Sequence, residues 1–414
     1  MNASTFLRAL AIALLCLIGV SGLAGCAKKP GQALATPAKN TVSFAKRSAS
    51  FGIDLFKSLY DPDASVNMVL SPFSVTEALA MALNGASGET LEAMGTVLNF
   101  GDLTVPEMNA ASRELCDILM GSDSTRELFL ANSVWLRKGF DFDKDFVAAV
   151  KDAFKVEASV LDFTDPSSVN KVNDWVKRKT KGKIESILDS IGPNDVAYLV
   201  NAVYLRADWS DEFNPNKTTD ALFHTPSSQV TVKMMRRQAE YAYLSGDGFR
   251  SVRIPYGGGS MAMYVFLPDE DVGLGGFLEN MTSSKWERWM ESYEKRNLSL
   301  GMPRFTAKYE TLMNDALKSM GMDIAFDYSR ADFRGMSATK DQNPGIFIGK
   351  VIHKGFITVG EKGTEAAAAT GVVMETTSIP LEPELSVVLD RPFFYAIRDD
   401  VTGAVLFMGT LVNP

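Results

Sequence analysis

The Ser-x-x-Lys spacing, found at residues 43–46, 168–171 and 337–340 among others, could support nucleophilic catalysis. A lysine one helical turn from a serine can take its proton and free the oxygen to attack an acyl group. The tetrad's recurrence shows how easily it arises. A penicillin-recognising site would also need Lys-Thr-Gly, and Lys179-Thr180-Lys181-Gly182 has the wrong spacing. Gly258-Gly259-Ser260-Met261-Ala262 approaches G-x-S-x-G but lacks the last glycine, and neither a P-loop nor H-E-x-x-H occurs. Two histidines, His224 and His353, and three cysteines are too few for most zinc centres. The expectation is no catalytic residue, no metal and no cofactor.

A different property is open to EKGTEAAAATGVVMETTS, residues 361–378: it could have two homes, with the function in the move between them. The run is too small for a core strand and has no amphipathic helical face. From Thr364 the even positions are Thr364, Ala366, Ala368, Thr370, Val372, Met374 and Thr376, none of them charged. Its two charges beyond Thr364, Glu365 and Glu375, both fall on odd positions. In a central strand alternate side chains face opposite sides, so one face here is free of charge and the other can be solvated. Two glutamates share a parity by chance half the time. The parity gains weight because the first proline, which would remove a ladder donor, is Pro380. Such a segment can sit outside the fold or enter a sheet. A dozen residues paired on both sides, at about 0.5–1.5 kcal/mol net per hydrogen bond, would release on the order of ten kcal/mol. That is comparable with the whole stability of a domain.

Something must position that segment. The 414 residues are 46% hydrophobic and 22% charged, enough for a large core, and from about Thr41 onward no linker or repeat interrupts the chain. SPFSVTEALAMALNGASGETLEAMGTVL reads as two helices opened at Ser71-Pro72 and punctuated by Gly85 and Gly88. LFLANSVWLRK and YLVNAVYLRADW read as central strands, SVRIPYGGGSMAMYVFLPDE as two strands about a glycine turn, and RPFFYAIRDDVTGAVLFMGTLVNP as a hairpin turning at 399–403. The fold class is mixed α/β, with sheets buried under helices. VNDWVKRKTKGKIESIL places basic residues late in a helix, where they complement its dipole or could meet a polyanion. SSKWERWMESYEKR carries Trp286 and Trp289 on an amphipathic helix that could pack on its own domain or touch a membrane. A net charge of −8 argues against nucleic acid as a partner.

The first 26 residues, one arginine then an apolar run then small residues, have the pattern of an export signal. Leu23-Ala24-Gly25-Cys26 looks like a bacterial lipobox, in which Cys26 carries the lipid; an ordinary cleaved signal or an uncleaved anchor are the alternatives. The domain reading is therefore a signal peptide over 1–25, a lipidated tether over 26–44 and a folded domain over 45–414. Its location would be the extracytoplasmic face of a bacterial membrane, at the cell surface or outside. Cys16 would leave with the signal, so Cys116 would stand alone as a small buried residue.

Read together, the segments resemble the serpin family from about residue 45 to the end. The ordered marks are Asn67 with LSPFSV and ALNGASGET, NDWVKRKTKGKI, LVNAVYLRADW with Phe213, VKMM, IPYGGGSMAMYVFLP, MPRF, MGM-x-x-AF with ADF, VIHKGFITVGEKGTEAAAAT, and RPFFYAIRD with LFMGTLVNP. The resemblance implies three sheets, about nine helices and an exposed reactive-centre loop near the C-terminus. It also implies an inhibitor of proteases, not an enzyme, that traps the acyl-enzyme by inserting its cleaved loop. Counting seventeen residues from Glu361 makes Thr377-Ser378 the reactive bond, with Met374-Glu375 and Thr376-Thr377 as secondary sites. Glu361, Gly363, Thr364, Glu365, Ala366, Ala367, Ala368 and Ala369 match the hinge, where Thr364 would enter first. Trp209 and Glu361 match the top of the sheet; Ser71, Ser74, Asn201 and His353 match a buried polar cluster under its centre. His353 is thus expected as a hydrogen-bonded core residue. The segment 101–123 has one basic residue, Arg113, so heparin-type activation is not expected. Lys and Arg are absent between Gly363 and Asp390. Elastase-like, subtilisin-like or papain-like proteases are therefore the expected partners rather than trypsin-like ones, met by a monomer. The competing reading is a non-inhibitory binding or adhesion protein on the same fold.

Overall fold

The computed structural model describes residues 36–121, 126–192, 195–339, 345–364 and 385–414. Cys26, Glu365, Ala366, Ala367, Ala368, Ala369 and the bond Thr377-Ser378 lie outside the described residues.

Helix α1 (Lys39–Leu59) buries Phe44, Phe51, Ile53, Leu55 and Phe56 along one face. Strand β1 (Val69–Leu70) leads through Ser71 into α2 (Pro72–Leu83). Ser71 caps this helix, its Oγ accepting from the Ser74 amide at 3.3 Å, and Pro72 occupies a first turn that needs no N–H. After α3 (Gly88–Val97), a Thr104/Glu107 capping box opens α4 (Val105–Leu119), on which Cys116 is a buried free thiol. Then follow β2 (Arg126–Arg137), α5 (Lys144–Phe154), β3 (Glu157–Leu161), α6 (Ser168–Lys179) and β4 (Ala197–Asp208). The middle of the chain forms β5 (Thr219–His224), β6 (Gln229–Gly246), β7 (Phe249–Tyr256), β8 (Met261–Pro268), α7 (Gly273–Asn280) and α8 (Ser283–Glu291). The remainder is β9 (Glu294–Pro303), β10 (Phe305–Leu312), α9 (Asn314–Leu317), β11 (Ile352–Gly360), β12 (Gly363–Thr364), β13 (Ser386–Val388), β14 (Phe393–Asp399) and β15 (Val405–Leu411).

One six-stranded sheet runs β10-β11-β12-β4-β2-β3. The other strands hydrogen-bond in the order β1-β15-β14-β8-β7-β6-β9-β13, with β5 on β6. The 18-residue β6 divides its labour: residues 229–234 pair with β5, 234–243 with β9 and 242–246 with β7. Two sheets therefore share this strand. With the six-stranded sheet they make the three expected sheets, accompanied by nine α-helices among the described residues. β8 and β15 are buried at every position, as expected of strands covered on both faces.

Trp286 is buried and Trp289 stacks on Phe277 with centroids 5.6 Å apart, so this pair packs on its own domain. The charged stretch that begins α8 does not stay helical to its end. The helix stops at Glu291, and β9 starts at Glu294 because Tyr293 docks between Tyr264 and the Ser251 hydroxyl and sets the ladder with β6. A second, smaller core forms where Val172, Trp175 and Val176 of α6 and Ile184, Ile187 and Leu188 after it pack on Trp135 and Val200. Lys177, Arg178 and Lys179 close α6, at the negative end of its dipole.

Candidate functional site: a slot in the six-stranded sheet

β11 is nine residues long and β4 is twelve, yet the only strand between them among the described residues, β12, is two. Gly363 pairs with Gly360 and Asp208, and Thr364 pairs with Val359 and Ala207. Among the described residues, the position between β11 and β4 is therefore filled at this end alone. Gly363 is required there: its φ is +150°, and a Cβ would lie 2.0 Å from the Ala207 carbonyl oxygen. Thr364 is 2% exposed, with its hydroxyl 2.5 Å from the Tyr256 hydroxyl.

An aromatic and ionic frame surrounds this entrance. Trp209 stacks on Tyr256 at 4.3 Å and 10° and meets Phe213 edge-on. Its Nε1 donates to the Gly360 carbonyl at 2.9 Å and its backbone amide donates to Lys362 at 2.7 Å. Glu361, 7% exposed, accepts from Thr218 Oγ1 at 2.7 Å and Arg304 Nε at 2.6 Å. Burial works to raise the pKa of this carboxyl, and the Arg304 and Thr218 hydrogen bonds overcome it, holding it below the ordinary carboxylate value. Glu361 therefore stays ionised and fixes the turn that feeds β12.

Beneath the sheet a cavity of about 430 Å³ is lined by Ser74, Val75 and Leu79 of α2, Val200 of β4, Phe333 and His353. Ser74 and His353 both line this cavity, and Ser71 is hydrogen-bonded to each of them. The Ser71 amide lies 3.4 Å from His353 Nε2, which is also 3.1 Å from the Val69 carbonyl oxygen. A neutral ring satisfies one of these per tautomer, and a doubly protonated ring would set an N–H against the Ser71 N–H. Asn201 pairs through its backbone with Asn132 of β2 in the same sheet. The partners that sequence reasoning did not single out are Arg304, Thr218 and Tyr256. Two of them sat in quoted motifs, MPRF and IPYGGG, but nothing local says which carboxylate or hydroxyl they meet.

Burial lowers the His353 pKa to about 4, against a hydrogen bond to Val69 that works to raise it. The unfolded chain takes up this proton below its ordinary value near 6.5, and the native chain only near 4. This group's contribution is therefore present above pH 6.5 and lost as pH falls toward 4, by about 3 kcal/mol. His353→Gln should remove this rise, so that between pH 4.5 and 6.5 the urea midpoint of the variant slopes more steeply downward with pH than that of the wild type. An unchanged slope would show that His353 does not carry it.

Comparison with known proteins places this architecture. The family model described as serpin (serine protease inhibitor) matches residues 46–414. A serpin-like protein of Thermococcus kodakarensis is 32% identical over 372 residues, 88% of this chain and 84% of that protein. The leukocyte elastase inhibitor of Homo sapiens is 32% identical over 377 residues, 88% of this chain and 97% of that protein. Among solved structures, the native thermophilic serpin tengpin superposes with a TM-score of 0.81 at 32% identity, covering 90% of this chain and 94% of its own. Human thyroxine-binding globulin does so with a TM-score of 0.80 at 26% identity, covering 91% and 99%. With the family model matching residues 46–414 and the fold shared with a solved native serpin, this chain belongs to the serpin family, a family of protease inhibitors rather than catalysts.

Proposed function

We propose that the chain is a suicide-substrate inhibitor of extracellular serine endopeptidases, and of cysteine endopeptidases with similar pockets. The observation that carries this reading is the two-residue β12 in a position flanked by strands of nine and twelve. Continuing its register one for one sets Ala366 beside Ile357 and Leu205, and Glu365 beside Thr358 and Arg206. In β11, residues 353, 355, 357 and 359 are buried and the alternate ones half-exposed. The small even positions of the loop would then enter the buried face, and Glu365 would stay outward beside a cation.

The protease's nucleophile attacks the Thr377 carbonyl carbon, the Thr377-Ser378 amide breaks, and the Ser378 amine leaves with the C-terminal piece. The resulting acyl-enzyme needs water to be released. Insertion of residues 365–376 carries it across the sheet first, and the roughly ten kcal/mol of new ladder is enough to distort it. The uncharged bait, together with leukocyte elastase inhibitors among the relatives, supports elastase-like, subtilisin-like or papain-like targets. We also propose that the folded domain, from residue 45, works as a monomer held to the outside of a bacterial membrane by lipid on Cys26.

Mixing the full chain with an elastase-like protease should give a covalent band on a denaturing gel and release a peptide beginning at Ser378, identified by mass. Clean cleavage with no such band would favour a binding protein of this fold, the reading to which the thyroxine-binding globulin likeness lends support. The loop-cleaved protein should also melt on the order of 20 °C above the intact one, at a few degrees per kcal/mol. Equal melting would remove the driving force.

A further inference from the structure

The loop after α6 lies across the slot. Lys181 places its ammonium over the Tyr204 ring of β4, 5.4 Å from the centroid, and is ion-paired with Glu127 of β2. Two residues on, Lys183 sits over the Phe356 ring of β11 at 5.2 Å. Tyr204 and Phe356 occupy the same level. Thr364 pairs with Ala207 on one side and Val359 on the other, and three residues back along each strand are these two rings. One short loop therefore holds an aromatic ring on each lip of the slot.

We infer that Lys181 and Lys183 form a two-point clasp that slows opening of the sheet, and so act as positioning residues for the insertion step. The inference rests on the inhibitor reading above. The loop travels with the β4 side, because Ile184, Ile187 and Leu188 pack with Trp135, Trp175 and Val200; Ile352 is the residue of β11 that touches this cluster. A strand entering the slot adds about 4.8 Å between the lips. That carries Phe356 beyond the roughly 6 Å over which an ammonium and a ring attract. Lys183 must then let go before a chain can pass residue 356. Lys308 also sits over Phe356, at 5.8 Å, but it belongs to β10, which is zipped to β11 and moves with it. Its contact survives opening, which makes it an internal control.

The test is the rate at which the intact full-length protein takes up the synthetic peptide TEAAAATGVVMETT, the sequence of residues 364–377, read as the appearance of the high-melting form. Lys183→Met and Phe356→Leu should each accelerate uptake about threefold, the loss expected for one exposed cation–π contact. The double variant should be no faster than either single one. Lys183→Arg and Lys308→Met should match the wild type in rate, while Lys183→Met and Lys308→Met should lower the urea midpoint of the peptide-free protein by a similar small amount, each having lost one contact on Phe356. If Lys183→Met takes up peptide at the wild-type rate, or Lys308→Met is accelerated equally, there is no clasp, while the inhibitor reading stands. If the wild type takes up no peptide, both fall together.

Discussion

Thr364→Arg should leave a folded protein that an elastase-like protease cuts at the normal rate and that forms no covalent adduct. Thr364 is the last described residue of β12, 2% exposed between β11 and β4 with its hydroxyl on Tyr256. An arginine there must bury a charge with no carboxylate to receive it, at a cost of at least about 3 kcal/mol. The intact protein can avoid that cost by releasing Gly363 and Thr364 from the sheet, giving up two residues of ladder and one hydrogen bond. The cleaved chain cannot, because every later residue enters through this point. A delay equivalent to 3 kcal/mol is about a hundredfold in rate, which hands the acyl-enzyme to water. Thr364→Ser, which keeps size and hydroxyl, should inhibit like the wild type. If Thr364→Arg yields the adduct at wild-type stoichiometry, insertion does not begin where β12 ends.

Much of this site is legible in the chain, for reasons that differ from residue to residue. The requirement for a small uncharged side chain at Thr364 follows from strand alternation, whereas Gly363 reads only as a hinge, and its close approach to Ala207 is set by the fold. The slot itself cannot be read locally, since it is defined by ladders joining residue 364 to residues 359 and 207. The same holds for Arg304, whose ion pair with Glu361 closes a separation of 57 residues. The basic residues read as partners of a helix dipole are Lys177, Arg178 and Lys179, in the last turn of α6. Lys181 and Lys183 lie past the helix end, and only the tertiary fold brings β4 and β11 beneath them. The sharing of β6 between two sheets escaped for a related reason. A continuous alternating strand carries no mark where its partners change. Glu77 shows the opposite case. In PFSVTEALAMAL it is the one charge on a helix with no polar face, and a helix apolar all round is buried all round.

That buried acid sets the last expectation. Glu77 is 0% exposed, and its carboxyl oxygens lie 2.8 and 3.0 Å from the Ser112 hydroxyl, with the Cys116 sulfur 3.8 Å away on the same α4. Burial pushes its pKa up to about 8, against the smaller lowering effect of the Ser112 and Cys116 hydrogen bonds. The unfolded chain loses this proton near pH 4.5 and the native chain only near 8, so the group destabilises the fold progressively as pH rises between those values. The total approaches about 4 kcal/mol at pH 8. Glu77→Gln keeps the shape and an acceptor for Ser112 without a charge to expel. It should raise stability by about 2 kcal/mol or more at pH 8, allowing for an amide hydrogen left without a partner, and near pH 4 it should lower stability by that hydrogen's cost of about 1–2 kcal/mol. His353 slopes the other way between pH 4 and 6.5, so the two groups nearly cancel from 4.5 to 6.5 and Glu77 acts alone above that. The wild-type urea midpoint should therefore be level across the first interval and fall across the second, and Glu77→Gln should rise through the first and be level in the second. A variant with the wild-type profile would mean that Glu77 is already ionised in the native protein, and that the α2–α4 joint admits the water its present packing excludes.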